Sequence, residues 1–210
     1  MLPRVAVLAA IWAGLVGLLI AAGEIIVHSD AIAGFDRHVT SNVVTSRTPA
    51  LNSAMRVVTW LGSWVALGAL ACAILVLVLT KRLRIAVAVI VVLAWAGEAL
   101  GVRIAKGVVT RDRPPRVIWV VNAHGWSFPS GHTATAAFVF TVVALTIAAV
   151  SRHRVVRLLG WLLAGLAVAA KAFSRVELGV HWTTDVIASI IFVSAWVAAV
   201  TLSLGATLRQ

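Results

Sequence analysis

The sequence predicts an all-α integral membrane protein: six transmembrane helices in one bundle, forming a single domain over residues 1–210. Three observations carry that expectation. Apolar residues make up 61% of the chain and its mean hydropathy is +1.03, far above a soluble domain, where roughly half the residues are apolar. The excess is gathered into blocks near the length of about 20 residues that a bilayer crossing needs. With lipid around them such blocks must be helices, because a helix satisfies its backbone polar groups one segment at a time.

The first block, Val5–Val27, follows the positively charged start Met1-Leu2-Pro3-Arg4 and contains the small residues Ala21-Ala22-Gly23. It therefore has features of a signal peptide, but its apolar stretch is longer than a signal core and, apart from Glu24, continues past that site. A retained helix is the expectation. Asp30–Leu51 is amphiphilic and too polar to span, which suggests an interfacial helix or a lid. Val57–Leu79 is the second block and holds Cys72, the single cysteine, expected to be a small buried hydrophobe. One cysteine excludes an intramolecular disulfide and a cysteine metal cluster. The remaining blocks are Ile85–Ala105, Thr133–Val150, Leu158–Phe173 and Trp182–Leu204. Leu158–Phe173 is short, so its polar flanks must lie near the membrane surface or be shielded.

The formal charge is +11. A basic balance suits nucleic acid, anionic lipid or a phosphate-bearing substrate. Scattering of the cations between apolar blocks argues against nucleic acid. Six crossings divide the connections into two sets. One holds Arg4, Lys81-Arg82-Leu83-Arg84, the Arg152–Arg157 segment and Arg209; the other holds Ser29–Arg56, Lys106–His132 and Ser174–His181. Raw cation counts do not separate them. The internal loops of the first set are short and dense in Arg and Lys, the feature that retains loops in the cytoplasm. Both termini are accordingly expected inside the cell, in a multi-pass protein of the bacterial cytoplasmic membrane, and the second set outside.

Three polar clusters interrupt the apolar chain on that outer side. They are Lys106 to Pro114, Pro129-Ser130-Gly131-His132, and Ser174 to Asp185. Lys106, Arg113 and Arg175 stand at helix–loop junctions, and Arg forks with a Lys point charge suit a phosphate group. Any one of them alone would also fit snorkelling to the headgroup region. Ser130 reads as the N-cap of the following helix, with Gly131 and His132 in a first turn whose amides favour an anion. His181 and Asp185, four apart, share one helix face. A carboxylate on one imidazole nitrogen fixes the tautomer and leaves the other nitrogen aimed elsewhere.

Lys106-x6-Arg113-Pro114, Pro129-Ser130-Gly131-His132 and Ser174-Arg175-x5-His181-x3-Asp185 together resemble the three-part signature of the type 2 phosphatidic acid phosphatase superfamily, in its small bacterial membrane members. The resemblance implies a core formed by the later helices and two motif-bearing outer loops. It implies that His181 becomes a phosphohistidine, that Asp185 holds its ring, and that His132 protonates the leaving oxygen. Lys106, Arg113, Arg175, Ser130 and the Gly131 amide would hold the phosphoryl oxygens. No cofactor and no metal are implied, and the sequence has no carboxylate cluster suited to Mg²⁺. The implied partner is a lipid phosphate within the bilayer. A polyprenyl diphosphate of the undecaprenyl or decaprenyl type is the first substrate expected, with phosphatidylglycerophosphate and phosphatidic acid next.

Two rivals share the cation pocket. A lipid-phosphate carrier without turnover needs only the cations, so the intact His132, His181 and Asp185 count against it. A vanadate-dependent haloperoxidase resembles larger, soluble helical proteins.

Glu98 lies within an apolar block, where a charge costs about 3 kcal/mol. It either pairs with Arg103 or a substrate-contacting cation, or lines the headgroup cavity, or is protonated or hydrogen-bonded between helices in a packing role. Glu177 occupies a spacer position of the third cluster where relatives often carry an aromatic residue, and is a second candidate for headgroup recognition. Arg111 offers an additional contact for a diphosphate. Asp112 is expected to pair with the neighbouring arginines, and Lys171 to snorkel. His28, His38, His124 and His153 show no metal-site spacing. Trp60, Trp64, Trp119, Trp126 and Trp182 read as interface anchors.

Overall fold

The computed structural model describes residues 2–60, 65–81 and 84–208. Among these, the chain forms eight α-helices: α1 Leu2–His28, α2 Asp30–Thr45, α3 Pro49–Trp60, α4 Ala66–Leu79, α5 Ile85–Val109, α6 Gly131–Val150, α7 Arg154–Glu177 and α8 Thr183–Leu208. A short 3₁₀ turn, Arg116–Ile118, lies in the α5–α6 connection. Trp64, Arg82 and Arg209 lie outside the described residues.

Among the described residues, five helices are long and apolar enough to cross a membrane, within α1, α5, α6, α7 and α8. The sixth expected crossing, Val57–Leu79, holds the end of α3 and the 14-residue α4, and residues 61–64 between them lie outside the described residues. Thr59, near the end of α3, turns to cations on α7. The short fifth block proves to be the middle of α7, whose 24 residues include both polar flanks.

Helix α2 starts at Ser29, whose Oγ accepts from the Ile32 amide at 3.4 Å, with Asp30 in the first turn as the helix dipole favours. It lies between α1, α7 and α8, as an amphiphilic segment laid against the bundle.

Helix α6 is the centre, packed against α4, α5, α7 and α8. Its Ala134, Ala137, Phe138 and Val139 join Phe192 and Val193 of α8 in the core. Two indoles tie neighbours to α5: Trp12 Nε1 donates to Gly97 O and Trp196 Nε1 to Ala94 O, each at 2.8 Å. The outer surface is apolar, with Leu18, Leu79 and Leu202 exposed, the reverse of a water-soluble bundle. Cys72 is exposed on that outward side and is not part of the core.

The alternation of α5 to α8 brings the end of α5, the start of α6, the end of α7 and the start of α8 to one end of the bundle. All three polar clusters meet there.

Candidate active site

The third cluster is a tight turn between α7 and α8. The Leu178 amide donates to Ser174 O at 3.0 Å, Gly179 N to Val176 O at 3.0 Å, and both Val180 N and His181 N to Arg175 O at 3.2 Å. Gly179 makes the turn possible with φ +75; a Cβ there would stand 2.4 Å from Ile118 O. The Val120 amide completes the seam by donating to Leu178 O at 3.0 Å. The 3₁₀ turn thus braces the backbone that presents His181.

His181 is 1% exposed and Asp185 is fully buried beside it. The imidazole Nδ1 lies 3.3 Å from Asp185 Oδ2. The same oxygen accepts from Ser127 Oγ and from the Trp182 amide, the latter at 2.9 Å. Oδ1 accepts from Arg111 Nη1 at 2.6 Å. A carboxylate so surrounded by donors is an acceptor only, which puts the imidazole proton on Nδ1 and the lone pair on Nε2. Burial pushes His181 down to about 3, only partly opposed by Asp185. The ring is neutral and its Nε2 is nucleophilic.

That nitrogen faces Arg113, whose Nη1 donates to it at 3.1 Å. Arg113 is held by four carbonyls as well: Val180 at 2.6 Å, Gly125 and His124 at 2.9 Å, and Trp126 at 3.2 Å. Burial lowers its affinity for its proton from the ordinary value while Asp185 opposes the change. Lys106, in the last turn of α5, donates to the Trp126 and Ser127 carbonyls at 2.6 and 3.2 Å. Arg175 is buried in α7, with Nη1 on Thr59 Oγ1 at 2.8 Å and an Nε that has no hydrogen-bond partner among the described residues.

Ser130 occupies the N-cap position of α6, as expected, but its side chain makes no capping bond. Its Oγ is 3.0 Å from Thr133 Oγ1 instead, and its amide donates to Asp185 O at 3.3 Å. The next amides, of Gly131 and His132, are first-turn donors with no intrahelical acceptor. His132 is exposed and borders a cavity of about 260 Å³ shared with Glu98 and Gly131.

The structure thus gathers Lys106, Arg113, Ser130, Gly131, His132, Arg175, His181 and Asp185 at one end of the bundle. It redirects several others. Arg111 does not offer its charge to a diphosphate: Nη2 binds Asp36 Oδ2 at 2.7 Å and Nη1 binds Asp185. Glu177 is fully buried and turned to Arg47, whose Nε is 3.9 Å from Oε1, so it faces the connection between α2 and α3. Lys171 does not snorkel; it is buried and donates to Thr59 O and, at 3.3 Å, to Thr59 Oγ1. Asp112 forms no ion pair among the described residues; its carbonyl receives Trp182 Nε1 at 2.9 Å. Trp182 is therefore a loop clasp rather than a plain interface anchor. Glu98 makes no pair with Arg103.

Asp36 was not anticipated. It is 1% exposed and accepts from the Thr184 amide at 3.0 Å and from Thr184 Oγ1 at 2.5 Å, besides Arg111. Thr59 was missed too. The only sequence signal for Asp36 was a carboxylate in an amphiphilic segment; Thr59 had none.

A neutral, oriented imidazole facing three cations and a helix N-terminus, all in a membrane-type bundle, defines an enzyme of the lipid phosphatase class. The chain belongs to the PAP2 superfamily, whose pattern matches residues 86–209. It is similar to phosphatidylglycerophosphatase B of Bacillus subtilis, with 29% identity over 165 residues, 77% of this chain and 79% of that protein. The crystal structure of a transmembrane PAP2-type phosphatidylglycerolphosphate phosphatase from Bacillus subtilis superposes with a TM-score of 0.76. That match has 25% identity and covers 94% of this chain and 96% of the other. LpxE of Aquifex aeolicus shares the fold at a TM-score of 0.57 and 22% identity, over 80% and 93% of the two chains.

Proposed function

We propose that this membrane phosphatase hydrolyses a terminal phosphomonoester on a lipid, phosphatidylglycerophosphate first, through a phosphohistidine on His181 and without a metal. The observation that carries the mechanism is the placing of Asp185 on one imidazole nitrogen and Arg113 on the other. His181 Nε2 attacks phosphorus and forms an N–P bond as the ester P–O bond breaks. Protonated His132 gives its proton to the leaving oxygen. Lys106, Arg113, Arg175, Ser130 and the Gly131 amide neutralise the charge that develops on the phosphoryl oxygens. Water then attacks the phosphohistidine, His132 takes its proton, and phosphate leaves.

Polyprenyl diphosphate, the first substrate expected from the sequence, gives way for two reasons. The cation expected to hold a second phosphate, Arg111, is spent between two carboxylates. The similar Bacillus subtilis proteins are named for phosphatidylglycerophosphate. The site is proposed to face the extracytoplasmic side, with both termini in the cytoplasm and six crossings, the remaining one containing α4. Dense Arg and Lys in the two short loops, including Lys81 and Arg152 to Arg157, support that orientation.

The test is phosphate release by detergent-purified protein from phosphatidylglycerophosphate, phosphatidic acid and a polyprenyl diphosphate, with EDTA present. The expected order is phosphatidylglycerophosphate first. Strict dependence on added Mg²⁺ would refute the mechanism, and a preference for the diphosphate would refute the substrate.

A further inference from the structure

The cavity of about 260 Å³ beside His132 contains a group that the proposed reaction does not use. It lies between α4, α5 and α6, with Leu67, Trp95 and Val102 as apolar walls and Glu98 among them. Glu98 is 1% exposed, and its Oε2 has no hydrogen-bond partner among the described residues. No ion pair among the described residues includes it. A buried carboxyl oxygen that no protein donor reaches is costly to leave unpaired, so a ligand that brings a donor is favoured there.

The reaction geometry says which part of the substrate that is. Nucleophile and leaving group lie on opposite sides of phosphorus, so the leaving oxygen departs from His181 toward His132. His132 and Gly131 form one wall of the cavity and Glu98 another. The first carbons of the leaving alcohol therefore enter this space. We propose that Glu98 accepts a hydrogen bond from a hydroxyl on the leaving group, and so selects lipid phosphates with a free hydroxyl beside the scissile ester. This rests on the phosphomonoesterase reading above and deepens it.

The chemistry sorts the substrate classes. The terminal glycerol phosphate of phosphatidylglycerophosphate has such a hydroxyl on its central carbon. Phosphatidic acid has none, because both other glycerol oxygens are acylated. A polyprenyl diphosphate would bring a second anionic phosphate toward a buried carboxyl group, in a cavity that no lysine or arginine lines among the described residues. A site that leaves a buried polar group unpaired discriminates against the analogue lacking its partner.

The experiment compares phosphatidylglycerophosphate with an analogue built on a propane-1,3-diol phosphate headgroup, which lacks only the central hydroxyl. Wild-type protein should prefer the hydroxylated lipid by at least about tenfold in kcat/KM. Glu98→Leu should remove that preference by slowing the hydroxylated lipid alone, and Glu98→Gln, which keeps an acceptor, should retain most of it. Equal wild-type kcat/KM on the two lipids overturns the inference, as does a parallel loss on both in Glu98→Leu. If Glu98→Leu does not fold, the wild-type comparison decides alone. Wild-type protein that releases phosphate from neither lipid refutes the phosphomonoesterase reading instead.

Discussion

Arg113 Nη1 donates to His181 Nε2 at 3.1 Å, so the nucleophilic atom already touches a cation of the phosphate pocket. The contact is preorganised, because carbonyls of Val180, His124, Gly125 and Trp126 hold the same guanidinium. A phosphate arriving here meets a fixed fork and an oriented ring, and the Arg113–Nε2 hydrogen bond passes to a phosphoryl oxygen as the lone pair turns to phosphorus.

Lysine cannot reproduce that fork, since its ammonium lacks the planar spread of donors. Arg113→Lys should lower kcat/KM by about 10²-fold and weaken inhibition by orthovanadate, a transition-state mimic. Steady-state kinetics and a vanadate titration on the purified variant check this. Unchanged kinetics would mean that Arg113 only braces the loop.

His181 gives a pH prediction with a definite sign. Burial pushes its pKa to about 3 from an ordinary 6.5. Below about 6.5 the unfolded chain binds a proton that the folded chain refuses, so stability falls as pH drops toward about 3. Carboxylates shift stability the same way, so the comparison needs His181→Gln. Thermal unfolding in detergent from about pH 7.5 to 4.5 should show a shallower decline for the variant than for wild type. The variant should also fail to form a phosphoenzyme. Equal slopes would show that the ring is not held neutral.

Asp36 and Asp185 are joined through one guanidinium, at 2.7 and 2.6 Å from Arg111. Asp36 is thus a positioning residue, acting through Arg111 and Thr184 on the carboxylate that orients His181. Asp36→Asn should lower kcat about tenfold with little change in KM, a loss of about 1.4 kcal/mol in the transition state. Arg111→Gln should be worse, because it leaves buried carboxylates uncompensated at about 3–5 kcal/mol. The double variant should be far from additive. Additive losses would separate Asp36 from the site.

What could be read in the sequence follows from where the information lies. Lys106 to Asp185 was legible because histidine, arginine and lysine at helix ends stand out against apolar blocks, and the His181–Asp185 spacing is itself the geometry. Asp36 and Thr59 were not, since their partners Arg111 and Arg175 are 75 and 116 residues away. Arg111 was misread for the same reason: its charge is visible in the sequence but its neutralising carboxylate is not.

Gly179 appeared only as a spacer in the third cluster, yet its backbone sets where His181 points. At φ +75 it adopts the left-handed region that glycine tolerates, and an added Cβ would stand 2.4 Å from Ile118 O. Gly179→Ala therefore meets both backbone strain and a backbone clash, which together cost about 1–3 kcal/mol. Relief requires the turn and the Arg116–Ile118 segment to separate, loosening the Val120–Leu178 hydrogen bond at 3.0 Å. Since His181 N and Val180 N hang from the same turn, kcat should fall further than the loss of folded protein explains. Unfolding midpoints and kcat measured on the same preparation separate the two effects. A stable variant with wild-type kcat would show that the 3₁₀ turn yields without moving the nucleophile.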